Sequence, residues 1–379
     1  MRIALVHDWL TGMRGGERVL HQLALAYPNA DLYTLIHLPG ATTAAIDRLS
    51  IHASPLSRLP GVARHYRKLL PLFPWAIERF RLEGYDLVLS VSHAVAKGVR
   101  VGPGVPHFCY CLTPMRYVWD QADAYLGQGF RRALGAPLAG YLRRWDRRTS
   151  TPERVTQFIA ISQAVAQRIQ RHYQRTAPVI HPPVDVDRIR PGYGKREDFY
   201  LLVGGFVPYK QETLALAAFR ELGARLVVAG DGPTRRRIER DAPANVHFTG
   251  RVSDAKLAEL YARCRALVYP QEEDFGIVAV EAQAAATPVI AFGRGGAAET
   301  VVPINRSRDS APTGVWFDEP TPAALLEAIR CFESVESSFD RKEIRLNAER
   351  FSAERFHKQI TAVIEAAVNT DESRPVSPN

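Results

Sequence analysis

Cysteine is scarce, with four in 379 residues. Cys109 and Cys111 lie two apart in an apolar run, so on a strand they share a face. No zinc-ligand spacing and no His/Cys cluster accompanies them or Cys264 and Cys331. A zinc module is therefore excluded, and four reduced, structural thiols fit a cytoplasmic location. Long apolar runs are also missing. No window approaches 18 uninterrupted apolar residues, so no helical membrane span is expected. The opening residues Met1 to Asp8 reach an acid too early for a secretory leader. The G-x-G-x-x-G dinucleotide fingerprint does not follow the first predicted strand, where Thr11 to Glu17 reads T-G-M-R-G-G-E.

What is present is an apolar fraction of 46%, enough for real cores. The length suggests two domains. The formal net charge is +9, and two stretches supply most of it. Arg58, Arg64, Arg67, Lys68, Arg79 and Arg81 face one acid, Glu78. A second stretch from Arg131 to Arg148 sets six arginines against Asp146. The first also carries Tyr66, Leu69, Leu70, Leu72, Phe73, Trp75 and Phe80. Basic plus aromatic side chains suit an anionic membrane surface. A solvated basic face over core aromatics is the plainer reading. No motif accompanies the charge to support nucleic acid binding.

Short apolar runs alternate with helical patterns in the second half. Strands are expected at Phe199 to Val203, Arg225 to Ala229, Val246 to Thr249, Ala266 to Tyr269 and Pro288 to Ala291. Helices are expected at Glu212 to Leu222, Ala255 to Arg263 and Ile277 to Ala286. The first half offers strands at Ile3 to His7, Asp86 to Ser90, His107 to Cys111 and Gln157 to Ile161, and a helix at Glu17 to Ala26. Residues Pro55 to Arg81 and Gln121 to Arg148 read as irregular insertions. This order predicts parallel sheets covered on both faces, an α/β protein of two Rossmann-like domains. Prolines and glycines crowd His181 to Asp198. The domains are set at 1–190 and 191–352, with a helix over 353–369 and a disordered tail over 370–379. Ligands of open α/β sheets sit beyond the carboxyl ends of the strands, so two such domains facing each other would enclose a cleft.

The chemistry-bearing residues fall at those strand ends. Glu273 and Glu281 flank Phe275-Gly276-Ile277, where Gly276 opens a helix whose free N–H groups favour a phosphate. Glu281 lies a turn inside, placed to accept from ribose hydroxyls, and Glu273 is placed to hold a sugar hydroxyl. Two surface glutamates would show the same spacing. Lys210, after the first strand of the second domain, suits a diphosphate as a point charge, or is a solvated loop lysine. Gly293 to Glu299 forms a second glycine turn, in which Gly295 and Gly296 either cradle phosphate or sugar or only turn the chain. Gly15 and Gly16 allow close approach of the first-domain loop. His93 follows the strand ending at Ser90.

These pieces together resemble family 4 of the retaining GT-B glycosyltransferases, over roughly Met1 to Ala367. The likeness is strongest at Lys210, the Gly230 to Pro233 turn, Thr249-Gly-Arg251 and Glu273 to Glu299. His7 to Glu17 looks like a bacterial branch that builds O-antigen or exopolysaccharide, some of whose members are mannosyltransferases. The resemblance implies a GT-B fold, with the acceptor on the first domain and the donor on the second. It implies no metal and no cofactor, since the nucleotide-sugar is a substrate. Lys210 would neutralise donor phosphate, Glu273 would contact the transferred sugar and Glu281 the ribose. Gly15 and Gly16 would border the diphosphate, and Arg251 would lie near the base. The last helix would return to the first domain. Two positions depart from the family pattern. Gly205 stands where an arginine is usual, and Leu112 replaces a histidine that lines the sugar site. His93, Arg116 or a main-chain carbonyl is the candidate to serve instead.

The expected activity is transfer of a hexose, mannose first, from GDP-mannose or a UDP-sugar to a lipid-linked or polysaccharide acceptor. The enzyme would be cytoplasmic and peripheral to the inner face of the membrane. A non-catalytic GT-B protein that binds nucleotide-sugar or glycan is the alternative, and a nucleotide-sugar epimerase on the same fold ranks below it.

Overall fold

A computed structural model describes residues 1–120, 130–207, 210–304, 306 and 311–372, without the side chains of 130–135 and 367–372. The chain forms two compact units, Met1–Pro183 with the residues from Phe356 onward, and Val184–Arg355.

In the first unit, β1 (Ile3–Leu10), β2 (Asp31–His37), β3 (Ser50–Ala53), β5 (Leu87–Ser92), β7 (His107–Cys111) and β8 (Gln157–Ala160) form a sheet in the order β3-β2-β1-β5-β7-β8. All its pairings are parallel. The short β4 (Arg81–Leu82) and β6 (Arg100–Val101) pair separately. β1, β5 and β7 are buried at every residue, as a parallel sheet covered on both faces requires. In the second unit, β9 (Tyr200–Gly204), β10 (Leu226–Gly230), β11 (Val246–Gly250), β12 (Leu267–Tyr269), β13 (Val289–Phe292) and β14 (Gly314–Phe317) run β11-β10-β9-β12-β13-β14. Its pairings are parallel too.

Each sheet starts in its middle, grows to one edge, then returns to grow the other way. That order places a switch point between β1 and β5 in one unit and between β9 and β12 in the other. At such a point neighbouring connections leave on opposite faces and open a crevice at the carboxyl ends.

Three expectations are corrected. Phe130–Arg148 is a helix, not an irregular insertion; Gly135, Pro137 and Gly140 hide its period in the sequence. Residues 121–129 of that stretch lie outside the described residues. Residues 370–372 continue the last helix, Ala353–Glu372, and 373–379 lie outside the description. The unit boundary falls at Pro183/Val184, seven residues before the expected one. Val184 N–H donates to Phe351 O at 2.8 Å, and Arg345 Nη1 bonds the carbonyls of Val186 and Ile189, both at 2.8 Å. The proline-rich stretch is thus bound to the second unit before the sheet begins. The last helix packs within the first unit. Phe356 meets the Tyr110 ring edge-on at 5.5 Å, and His357 bonds Gln22 at 3.1 Å. Beyond these corrections, Asp31–His37, Ser50–Ala53, Gly314–Phe317 and the helices Gln163–Tyr173 and Pro322–Val335 are elements that the sequence pattern left unread.

Candidate functional site

The second unit assembles most of the candidates at the carboxyl ends of three adjacent strands. β9 leads to Gly205 and Lys210, β12 to Glu273, and β13 to Gly295 and Gly296. Lys210 Nζ donates to Glu273 Oε1, and the Tyr269 hydroxyl donates to Glu273 Oε2. Both carboxylate oxygens are therefore engaged, one by a cation and one by a hydroxyl. The Lys210 and Glu273 side chains remain 13% and 18% exposed, so a ligand can reach both. Burial, and then the Glu273 charge, push the Tyr269 hydroxyl well above its ordinary pKa, so it stays a donor. The Lys210 N–H bonds Val207 O at 2.9 Å just before the helix Glu212–Leu222.

The glycines are there because backbone and side chains crowd. Gly276 caps the helix Ile277–Ala284 with φ +86°, and a Cβ there would lie 2.7 Å from the Tyr269 hydroxyl. A Cβ on Gly296 would lie 2.2 Å from Phe275 Cα, and one on Gly295, with φ +60°, 2.3 Å from Glu273 O. Gly296 N–H donates to Glu273 O at 2.8 Å. The two glycine turns are thus locked together, main chain on main chain, around Glu273. Phe275 is buried and packs on Phe351 at 5.4 Å, so it anchors the turn. Ile277, at the first helical position, is half-buried.

Glu281 is buried one turn inside that helix. Its Oε2 accepts from the Tyr261 hydroxyl at 3.1 Å, and its Oε1 lies 3.6 Å from Arg188 Nη2. Arg188 also reaches Asp254 at 3.1 Å. Gly205 is exposed, and a Cβ on it would meet nothing within 4 Å. Arg251 is exposed beyond β11, the edge strand, two strands from β9.

In the first unit, Gly15 and Gly16 begin the helix Gly15–Ala26. The Arg14 N–H bonds Glu17 Oε2 at 3.1 Å, one arm of a capping box. A Cβ on Gly16 would lie 2.8 Å from Leu112 Cδ1 and 3.2 Å from His7 Cε1. Leu112, at the place where the family has histidine, therefore lies under the glycine turn. His93 follows β5, with Nδ1 2.9 Å from Asp8 Oδ2. Arg116 is half-buried in the turn after β7.

Sequence reasoning missed Tyr269, Tyr261, Arg188 and Asp8. Tyr269 ends a strand that points at Glu273, which is a usable signal. Arg188 and Asp8 become visible only through distant contacts.

Comparison with known proteins adds the family. Residues 13–188 match the model of Glycosyltransferase Family 4, and residues 185–351 match Glycosyl transferases group 1. An uncharacterized glycosyltransferase of Methanocaldococcus jannaschii is 28% identical over 200 residues, 51% of this chain and 54% of that protein. A D-inositol 3-phosphate glycosyltransferase of Mycolicibacterium paratuberculosis is 34% identical over 169 residues, 39% of this chain and 36% of that protein. The matches thus span about half, or less, of these relatives' length. The crystal structure of Anabaena HepE in complex with UDP superposes with a TM-score of 0.68 at 16% identity, covering 97% of this chain and 100% of that one. With a Family 4 domain followed by a group 1 domain on the GT-B fold, the chain belongs to the family 4-like glycosyltransferases.

Proposed function

We propose that the protein is a retaining glycosyltransferase that moves a hexose from a nucleoside diphosphate-sugar to a lipid-linked or polysaccharide acceptor in building a cell-surface glycan. The observation that carries this reading is the partly exposed Lys210–Glu273 pair at the β9/β12 switch point. A donor diphosphate would take Lys210 from Glu273 and free that carboxylate for a hydroxyl of the sugar. Glu281 would accept from the ribose. The bond from the sugar C1 to the diphosphate breaks, a bond from C1 to the acceptor oxygen forms on the same face, and the hydroxyl proton passes to the leaving diphosphate. The protein supplies positioning and charge. Lys210 is the cation of this scheme, so EDTA should leave the rate unchanged; a strict Mg²⁺ requirement would count against Lys210 as the sole cation.

GDP-mannose is the first donor to test. UDP-glucose follows, because HepE was also solved with that sugar nucleotide. A panel of GDP- and UDP-sugars, with released nucleotide and glycoside product both measured, decides the reading. Absence of transfer and of hydrolysis with every donor would sink it. A non-catalytic nucleotide-sugar binding protein is the second reading, favoured by Leu112 under Gly16 in place of a histidine. It predicts nucleotide binding by calorimetry without turnover.

Membrane contact belongs to the same proposal. Arg58, Leu59, Arg64, Arg67, Lys68, Leu72, Trp75, Arg79 and Arg81 are all exposed on one stretch of the first unit. Arg79 lies over the Trp75 ring at 4.9 Å. Among the described residues no helix is long and apolar enough to cross a membrane. Vesicles containing phosphatidylglycerol should retain the protein at low salt and release it as salt rises. Equal retention on neutral phosphatidylcholine vesicles would remove the basic face as the cause.

A further inference from the structure

Asp8 lies near the carboxyl end of β1 and is fully buried. Its Oδ1 accepts from the N–H groups of Val95 at 2.6 Å and Ala96 at 2.7 Å. Its Oδ2 accepts from those of His93 at 2.7 Å and Ala94 at 3.0 Å. Four consecutive N–H groups converging on one anion form a nest, filled here by the protein's own carboxylate. His93 Nδ1 is buried and stands 2.9 Å from the same Oδ2, a close approach outside hydrogen-bond geometry as placed. The Trp9 ring meets the imidazole edge-on at 4.4 Å. Backbone, ring nitrogen and ring face of His93 are thus all fixed.

The other titratable groups here are His7 on β1 and Glu17 on the helix Gly15–Ala26. The His7 ring centroid lies 6.1 Å from that of His93, and His7 Nε2 lies 3.8 Å from Glu17 Oε1. Asp8, His7 and Glu17 are all buried, whereas the His93 side chain is 24% exposed. With Nδ1 turned to Asp8, Nε2 is the ring nitrogen left to a ligand. It sits at the β1/β5 switch point, the crevice end of the sheet. A carboxylate serving only to cap a turn needs the four backbone bonds and does not require an imidazole at its side.

We propose that Asp8 is a positioning residue for His93, and that His93 Nε2 accepts a hydrogen bond from a hydroxyl of the sugar acceptor. This rests on the glycosyltransferase reading. Burial alone would raise the Asp8 carboxyl; the His93 imidazole, its hydrogen bonds and His7 outweigh it and hold it below the carboxylate range. Asp8 is therefore a standing negative charge. It orients the Nδ1–H inward, leaving a lone pair on Nε2 once the ring is neutral.

The test follows transfer to octyl α-mannoside and octyl β-glucoside beside hydrolysis of the same donor by water. H93Q should lose about 100-fold in transfer, with a smaller loss in donor hydrolysis. Asp8→Asn loosens the ring that Asp8 holds, so it should raise KM for the acceptor several-fold with kcat less affected. The double variant should lose no more than H93Q alone. Transfer at wild-type rate in H93Q, equal loss of transfer and hydrolysis, or losses that multiply in the double variant would each overturn the proposal. Should Asp8→Asn not fold, the H93Q comparison still decides it. Should the wild type turn over no donor, the glycosyltransferase reading fails by itself. The His93 Hε1 resonance, compared in wild type and Asp8→Asn at one pH, then decides the Asp8–His93 link: a changed chemical shift supports it and an unmoved one overturns it.

Discussion

The two switch points share one topology and differ in chemistry. Between β9 and β12, a lysine and a glutamate face each other with both side chains partly open. Between β1 and β5, the carboxylate is sealed and only the histidine beside it reaches solvent. The second-unit pair can lend its charges directly to a ligand, because a ligand's phosphate and hydroxyl can replace each partner. Asp8 cannot be lent, since its oxygens are saturated by main chain. It acts through the ring it holds. The difference predicts that charge changes in the second unit cost turnover, while the same change in the first unit costs stability as well.

The largest effect is expected at the open pair. Lys210→Ala and Glu273→Gln should each lower kcat/KM by about 10²- to 10³-fold, measured as nucleotide release. Melting temperatures should stay close to wild type, because both side chains are partly solvated. A large drop in melting temperature with activity intact would reverse the contrast between the two sites.

Asp8→Asn should destabilise the first unit by about 1–3 kcal/mol at neutral pH, because its amide NH2 would face buried backbone N–H groups that lose their acceptor. The folded carboxyl is depressed relative to the unfolded one. Its stabilisation is therefore complete above the unfolded pKa, near pH 4, and is lost as pH falls from there toward the folded value. The stability gap between wild type and variant, read from urea midpoints, should hold constant from pH 7 to about 5 and shrink below about pH 4. A gap that narrowed between pH 7 and 6 would point to a histidine instead.

Gly296→Ala comes next. The new Cβ would stand 2.1 Å from Phe275 O and 2.2 Å from its Cα, so the main chain must move. A cost of about 1–3 kcal/mol is expected, with weaker donor binding as the Glu273 loop shifts. Unchanged stability by thermal melting would mean the two turns are not locked.

How legible each region was follows from its physics. The helix Glu212–Leu222 matches its expected span residue for residue, because one apolar stripe and the glycine at 223 bound it. Phe130–Arg148 was missed, since Pro137 and two glycines interrupt its pattern. Lys210, Glu273, Gly276 and Glu281 were picked out because each follows a strand or opens a helix in a short stretch of sequence. The Lys210–Glu273 bond itself, spanning 63 positions, was not readable. Asp8 escaped notice for the same reason. Its partners lie 85 to 88 residues away, and in the sequence it is only an acid in an apolar run.

The smallest expected effect sharpens the comparison most. Gly205 stands where the family has arginine, and the structure offers open space for a side chain there. If the second unit works by lending charge, a further cation at the end of β9 should help. Gly205→Arg should tighten donor binding, by up to about fivefold for a partly exposed pair, with the gain fading as salt rises. Calorimetry with UDP and GDP at two ionic strengths measures it. No gain, or a gain insensitive to salt, would mean that the diphosphate does not lie at this strand end. The Lys210–Glu273 pair would then be a structural clasp like the one around Asp8.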